Sequence, residues 1–282
     1  MKKKMHILVP TDFSPASRAG IRFAIQWSQQ QNAHLTFVHV MHIVRPTRWT
    51  DKQYDTFAAS ERALYTKKLR AFIADIQRRQ PLRPKSWSLV LLEGFNADLA
   101  LIDYCREHPG IGLVCMGTKG ANRTRRIFGT NTGNFILQSD KPVIAVPATY
   151  RRKPISRVTY ASDLADAARE LKQVVALAGP LHAKVGILHL TETGETTPDP
   201  ETLKKLWKKE AGRNVTIEFR KADPAVSIAK NLQQTARTLQ PSLLILFSNR
   251  RRTFFQSLLY PSNAERLAVA ATVPLLVLGK EG

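Results

Sequence analysis

Short, nearly uninterrupted apolar runs punctuate the chain, and stretches of helical spacing separate them. In the first half the clearest runs are Ile7-Leu8-Val9-Pro10, Leu35-Thr36-Phe37-Val38-His39-Val40, Leu113-Val114-Cys115-Met116 and Val143-Ile144-Ala145-Val146. Runs of this length, rich in β-branched residues and lacking strict alternation, are the signature of strands buried on both faces. Between them, Ser14-Pro15 supplies an N-cap and a first-turn proline. Ile21, Ala24, Ile25 and Ser28 then fall on one helical face, and Leu69, Phe72, Ile73 and Ile76 do the same further on. Strand and helix alternating in this way predict an α/β fold with a parallel sheet and right-handed crossovers.

The pattern then repeats. Val158-Thr159-Tyr160-Ala161-Ser162-Asp163-Leu164 reproduces Ile7 to Ser14, an apolar run ending in a hydroxyl residue and an aspartate. Val185-Gly186-Ile187-Leu188-His189-Leu190 reproduces the second run, with its histidine. Asp12 precedes His39 by 27 positions, and Asp163 precedes His189 by 26. Leu244-Ile245-Leu246-Phe247 matches Leu113 to Met116, and Val273-Pro274-Leu275-Leu276-Val277-Leu278 matches Lys141 to Val146. A period this long marks a duplicated domain rather than a solenoid. The polar, proline-flanked Pro147–Pro154 segment marks the boundary, giving domains at 1–149 and 154–282, each with a five-stranded parallel sheet covered by helices on both faces.

Composition narrows the class. The chain has 282 residues, 43% of them hydrophobic, enough for two packed cores. No run of about 18 uncharged apolar residues suggests a membrane span. The basic start, Met1 to His6, leads into an apolar run too short for a signal peptide, so a cytoplasmic location is expected. Two cysteines, Cys105 and Cys115, are too few for a disulfide framework, and the seven histidines form no HxxxH or HExxH pair. The formal net charge is +21, split as +12 over residues 1–150 and +9 over the remainder. Such a field favours polyanions without naming one, so nucleic acid or an acidic protein stands as a candidate partner.

The most informative stretch runs from Met116 to Thr132. It leaves a strand, carries Gly117, Gly120 and Gly129, and enters a helix read from Phe135 and Ile136. Glycines permit close backbone approach, and hydroxyl residues at a helix N-terminus suit anions. Gly129-Thr130-Asn131-Thr132 therefore reads as a phosphate cradle, although the spacing excludes a Walker A loop. Here the chain resembles the universal stress protein family, whose nucleotide-binding members carry Gly-x2-Gly-x9-Gly-Ser/Thr. The opening Pro10-Thr11-Asp12-Phe13-Ser14 and the closing Lys141-Pro142-Val143 carry the same resemblance, which extends over both halves. The loop departs from the pattern by one residue: eight, not nine, separate Gly120 from Gly129.

The resemblance implies two tandem Rossmann-like (HUP-type) domains and a site for ATP or AMP, with or without Mg²⁺, in the first. Pro10, Thr11 and Asp12 would lie by adenine and ribose, and Val40 would offer backbone groups to the base. Met116, Gly117, Lys119 and Gly120 would line ribose and α-phosphate, while Gly129, Thr130, Asn131 and Thr132 would hold the outer phosphates. Arg123, with Arg125 and Arg126, makes the loop strongly cationic. In the second half Ser248, Arg251 and Pro261 replace the glycines, so that domain is expected to be a structural partner. The resemblance also implies edge-strand pairing, here within one chain between Val143–Val146 and Leu275–Leu278 as a pseudo-dimer, with a homodimer as a further option.

The leading expectation is a stress-response regulator that works by binding adenine nucleotide. No residue is placed as a base for attacking water, and Asp12 is the one carboxylate available to Mg²⁺. The alternative is an interaction module whose basic surface, including Arg250-Arg251-Arg252-Thr253-Phe254-Phe255, holds an acidic protein or nucleic acid. A nucleotidyl transferase lacks its His-x-Gly-His signature. His39 and His189 are expected to be strand-end histidines hydrogen-bonded within the repeat.

Overall fold

In the computed structural model the described residues are 4–79, 82–118, 135–136, 138–196, 199–211, 215–248 and 272–279. The first half contains β1 (His6–Pro10), α1 (Pro15–Gln30), β2 (His34–Met41), α2 (Asp51–Arg78), β3 (Trp87–Glu93), α3 (Ala97–Glu107), β4 (Leu113–Thr118) and β5 (Val143–Pro147). The second contains β6 (Arg157–Ala161), α4 (Ala167–Ala178), β7 (Lys184–Thr191), α5 (Pro200–Ala211), β8 (Val215–Lys221), α6 (Ile228–Leu239), β9 (Leu243–Ser248) and β10 (Leu275–Gly279). The strands form one sheet in the order β3-β2-β1-β4-β5-β10-β9-β6-β7-β8. Within each half every pairing is parallel. Each half thus has the α/β architecture expected from the alternation.

The halves meet at one antiparallel junction. β5 and β10 pair through Val143↔Val277, Ile144↔Leu276 and Ala145↔Leu275, joining the strands that sequence analysis nominates. Both would be edge strands of their own half, wholly apolar and prone to pair with another chain; here each covers the other. Gln30, the last residue of α1, adds a second tie. The Ile155 N–H donates to its Oε1 at 2.8 Å, and its Nε2 donates to the carbonyls of Ile155 at 3.1 Å and Leu181 at 3.2 Å.

Period-two side-chain alternation divides the apolar strands between two cores. Ile7, Val9, Leu35 and Phe37 pack beneath α1 and α2 with the matching residues of β6 and β7 beneath α4 and α5. Leu8, Val114, Met116 and Val143 pack on the opposite face with Leu101, Ile102 and Cys105 of α3, and α6 covers the equivalent surface of the second half. Phe135 and Ile136 are buried in this second core. Both cysteines are free and buried, and burial raises both thiols, Cys105 to about 11. Among the described residues no helix is long and apolar enough to cross a membrane.

α1 lies unusually close to β4. A Cβ on Gly117 would stand 1.8 Å from the Ala16 carbonyl oxygen, and one on Gly20 would stand 2.8 Å from the Gly117 nitrogen. Helix and strand therefore touch backbone to backbone. Gly117→Ala should destabilise the first half by about 3 kcal/mol or more, since nothing but backbone can yield. Gly110→Ala, where a Cβ meets nothing within 4 Å, should change little. Urea unfolding of the two variants checks this.

At the opposite end of the strands, hydroxyls tie two histidines into a cross-strand network. His6 Nε2 lies 2.7 Å from Thr36 Oγ1, and the two nitrogens of His34 lie 2.7 and 3.0 Å from the hydroxyls of Ser86 and Ser88. Burial depresses both rings. The charges of His34 and His108 add to the effect on His6, and that of Lys4 to the effect on His34. The unfolded chain takes up these protons near the ordinary 6.5 while the folded chain resists until lower pH. Stability from this network is therefore full above that value and lost as the pH falls below it. The melting temperature should drop between about pH 7.5 and 5.5, and by less in a His6→Gln/His34→Gln double variant.

Candidate functional site

β1 lies between β2 and β4, and its two neighbours are reached by crossovers in opposite directions along the sheet. The carboxyl ends of β1 and β4 therefore flank a topological switch point, the position where open α/β sheets admit ligands. Pro10, Thr11 and Asp12 end β1 and begin its exit. Val40 lies next to last in β2, and Met116 and Gly117 lie near the end of β4. The structure thus gathers six of the proposed contact residues at one edge. Lys119, Gly120, Arg123, Gly129, Thr130, Asn131 and Thr132 lie outside the described residues.

The exit from β1 is built by side chains bonding to backbone. Thr11 is buried, and its N–H donates to the Val38 carbonyl at 2.9 Å. Its hydroxyl accepts from the Phe13 N–H at 3.1 Å and donates to Ser17 Oγ at 2.9 Å. The Asp12 carboxylate accepts from the Ser14 N–H at 3.0 Å. Ser14 caps α1, accepting from the Ser17 N–H at 3.2 Å, while Ser17 Oγ donates to the Ser14 carbonyl at 2.9 Å. Phe13 is held at φ 63°, a left-handed conformation that costs about 1 kcal/mol for a side chain of this kind. Partial burial by itself would raise the Asp12 carboxyl. The hydrogen bonds from Ser14, from Ser17 and from its own backbone more than offset this and hold it below the usual carboxylate range. Asp12 is therefore an ionised, exposed acceptor at neutral pH.

The second half repeats the backbone course and the aspartate bond of this turn, while the Ser162 hydroxyl donates to the Tyr160 hydroxyl oxygen at 2.8 Å and α4 has no side-chain cap. Leu164 has φ 67°, its N–H donates to Ser162 Oγ at 3.0 Å, and the Ala165 N–H donates to Asp163 Oδ1 at 3.1 Å. The Ser162 N–H donates to the Leu188 carbonyl at 2.9 Å, as Thr11 does to Val38. The repeated hydroxyl-aspartate pair is thus a turn-forming device, and Asp163 is a loop residue that accepts from the Ala165 N–H. His39 Nδ1 lies 2.7 Å from the Thr11 carbonyl and His189 Nδ1 lies 2.9 Å from that of Ser162. A carbonyl only accepts, so Nδ1 carries the proton in both rings. These are the strand-end, hydrogen-bonded histidines that the repeat predicts.

Two features differ from the sequence reading. β4 continues to Thr118, with Gly117↔Val146 and Thr118↔Pro147 in register, so Gly117 belongs to the strand rather than to the loop after it. Its missing Cβ makes room for α1, as described above. The residues around His39 carry no sequence signal that pattern reading can use. Tyr65 stacks on the ring at 5.1 Å, Phe13 lies at 4.4 Å, and Lys68 Nζ stands 4.5 Å from the centre of the Phe13 ring. Only the shared position of Phe13 and Leu164 after the aspartate hints at this corner. Among the described residues no group of three His, Cys, Asp or Glu side chains is placed to hold a metal ion.

The second half does not repeat the glycine pair that lets α1 meet β4 in the first. Leu171 and Ser248 stand where the first half has Gly20 and Gly117. Tyr160 is fully buried, stacks edge-on against Phe247 at 5.5 Å, and donates its hydroxyl to the buried Glu170.

A model of the universal stress protein family matches residues 4–147. No curated protein matches the chain. Among solved structures, a universal stress protein from Archaeoglobus fulgidus DSM 4304 superimposes over 100% of both chains with a TM-score of 0.73 at 15% identity. A putative universal stress protein from Pseudomonas aeruginosa UCBPP-PA14 covers 98% of this chain and 93% of its own, with a TM-score of 0.54 at 14% identity. At these identities the likeness is one of fold, and it spans both halves. The family match over the first half, the strand order and the β1 exit agree: the chain belongs to the universal stress protein family.

Proposed function

We propose that the first half binds an adenine nucleotide, ATP or AMP, and that the chain works as a stress-response regulator through this binding rather than through turnover. The observation that carries this reading is the convergence of Pro10–Asp12, Val40 and Met116–Gly117 on the switch point beside β1. The described residues fit such a ligand. Pro10 and Val40 are half-buried and offer apolar surface to a base. Asp12 is an acceptor-only carboxylate suited to the paired hydroxyls of ribose. The capped N-terminus of the 16-residue α1 lies at the same edge and favours negative charge. Gly129, Thr130, Asn131 and Thr132 would hold the outer phosphates, with Lys119, Gly120 and Arg123 along the same loop. Mg²⁺ would enter with those phosphates, with Asp12 as its one carboxylate ligand from the chain.

The second half serves in this reading as a structural partner, the other member of an intramolecular pseudo-dimer. The replacement of Gly20 and Gly117 by Leu171 and Ser248 supports this, and so does the β5–β10 junction. With no membrane-crossing helix among the described residues, a cytoplasmic location accompanies the proposal.

Thermal unfolding of the intact chain with ATP, with AMP and without ligand, each with and without Mg²⁺, tests the site. A nucleotide present at 100 times its dissociation constant should stabilise by about 2.7 kcal/mol. Gly129→Glu, which places a carboxylate among the phosphates, should abolish the shift while leaving the unliganded melting temperature unchanged. No stabilisation by any nucleotide would overturn the reading.

A further inference from the structure

The matched histidines are treated differently at their second nitrogen. In the second half the chain turns back after β7. Gly194 adopts φ 85°, the Glu192 N–H donates to Glu195 Oε2 at 2.9 Å, and Glu195 Oε1 comes to 2.8 Å from His189 Nε2. Protonated, His189 forms an ion pair with this carboxylate. The backbone N–H of Glu192 and the His189 ring hold Glu195 below the usual carboxylate range. A carboxylate oxygen is thus the native occupant of this position.

In the first half the corresponding position has no such occupant. His39 makes the same anchor to the strand-end carbonyl, but among the described residues Nε2 has no hydrogen-bond partner. The charged and titratable groups around the ring are few. α2 contributes Tyr65, stacked on it, and Lys68, whose ammonium stands over the rings of Phe13 and Tyr65 at 4.5 and 5.5 Å. The β1 exit contributes Asp12, already engaged by Ser14. From α1, Arg18 lies over Phe72 and is paired with Asp75 at 2.6 Å. Among the described residues Lys68 has no carboxylate partner, and its cation-π contacts orient it without neutralising it.

We infer that His39 Nε2 and the Lys68 ammonium form a subsite for one anionic oxygen group, a carboxylate or phosphate, of a ligand of the first half, and that Glu195 is the built-in occupant of the equivalent subsite in the second. The inference does not depend on the nucleotide reading, since any small acid of this chemistry satisfies it. Burial first, and then the Lys68 charge, depress the His39 ring against the opposing pulls of Thr11 and Asp12. An arriving anion reverses the balance, so Nε2 takes a proton from solvent as the anion binds. Binding therefore strengthens as the pH falls toward 6.

The test follows the histidine ring resonances of the intact chain by NMR at constant ionic strength, with inorganic phosphate, acetate and ATP as separate probes. The expected result is saturable movement of His39 by phosphate or acetate, tighter at about pH 6 than at pH 8. Lys68→Gln should weaken it by about fivefold, the upper end for an exposed charge pair, and Lys68→Arg should preserve it. In Glu195→Ala, acetate should raise the melting temperature and move His189, with neither effect in the parent chain. Movement by ATP alone would assign the subsite to a nucleotide phosphate. Unsaturable movement, equal response in Lys68→Gln, or no response of His39 to any probe would overturn the inference. If ATP stabilises the chain while His39 stays unmoved, the inference fails and the nucleotide reading stands; if phosphate moves His39 while no nucleotide stabilises, the reverse holds.

Discussion

Where α1 crosses β4, two backbones touch with no side chain between them. Gly20 and Gly117 are the residues that permit it, and either one with a Cβ would drive that atom into main chain. The contact brings the start of α1 to the edge of the sheet. Ser14 and Ser17 can then reach the end of β1, Thr11 can donate to Ser17, and the Thr11 carbonyl is left to receive His39. The left-handed Phe13 does not depend on this contact, since Leu164 adopts the same conformation in the second half, where neither glycine is present. The bonds from Thr11 to Ser17 and from Ser17 to Ser14 thus sit beside a contact that depends on two missing methyl groups, one in α1 itself and one far along the chain in β4.

Strands were the most legible part of the sequence, because a strand buried on both faces is written as an unbroken apolar run. The duplication was legible for the same reason; the pairing of Val143–Val146 with Leu275–Leu278 came instead from the family resemblance, and the structure joins those strands. Gly117 was read as a point of close backbone approach, but not that α1 is what approaches it: a glycine near a strand end signals close approach without saying to what. The corner around His39 was not legible. Tyr65 and Lys68 sit on α2, far along the chain; the helix period puts Tyr65 on the face of Leu69 and Phe72, but nothing in it marks Lys68 or points either residue to His39. The His189–Glu195 pair was equally hidden, since it depends on a loop that doubles back through a left-handed glycine.

Comparing the halves separates what the fold requires from what a site requires. The hydroxyl-aspartate turn, the left-handed residue after it, and the histidine anchored to the strand-end carbonyl survive in both, so they belong to the architecture. The close helix-strand contact and, among the described residues, a histidine whose second nitrogen has no hydrogen-bond partner occur in the first half, where the second has Leu171, Ser248, the Tyr160–Glu170 pair and Glu195. Hydrogen bonds shared by the two copies are accounted for by the fold alone, while contacts present in one copy are not.

The junction of β5 with β10, reinforced by Gln30 against Ile155 and Leu181, has a consequence for how the protein behaves at low abundance. Two separate subunits joined through three pairs of edge residues would come apart on dilution. A covalent connection instead fixes the local concentration of one edge before the other at roughly millimolar, whatever the number of copies in the cell. The second half is consequently relieved of having to recognise an identical twin. It need only keep one edge strand and one core, and the remainder of its surface is free to drift, copy by copy, without the assembly ever failing to form.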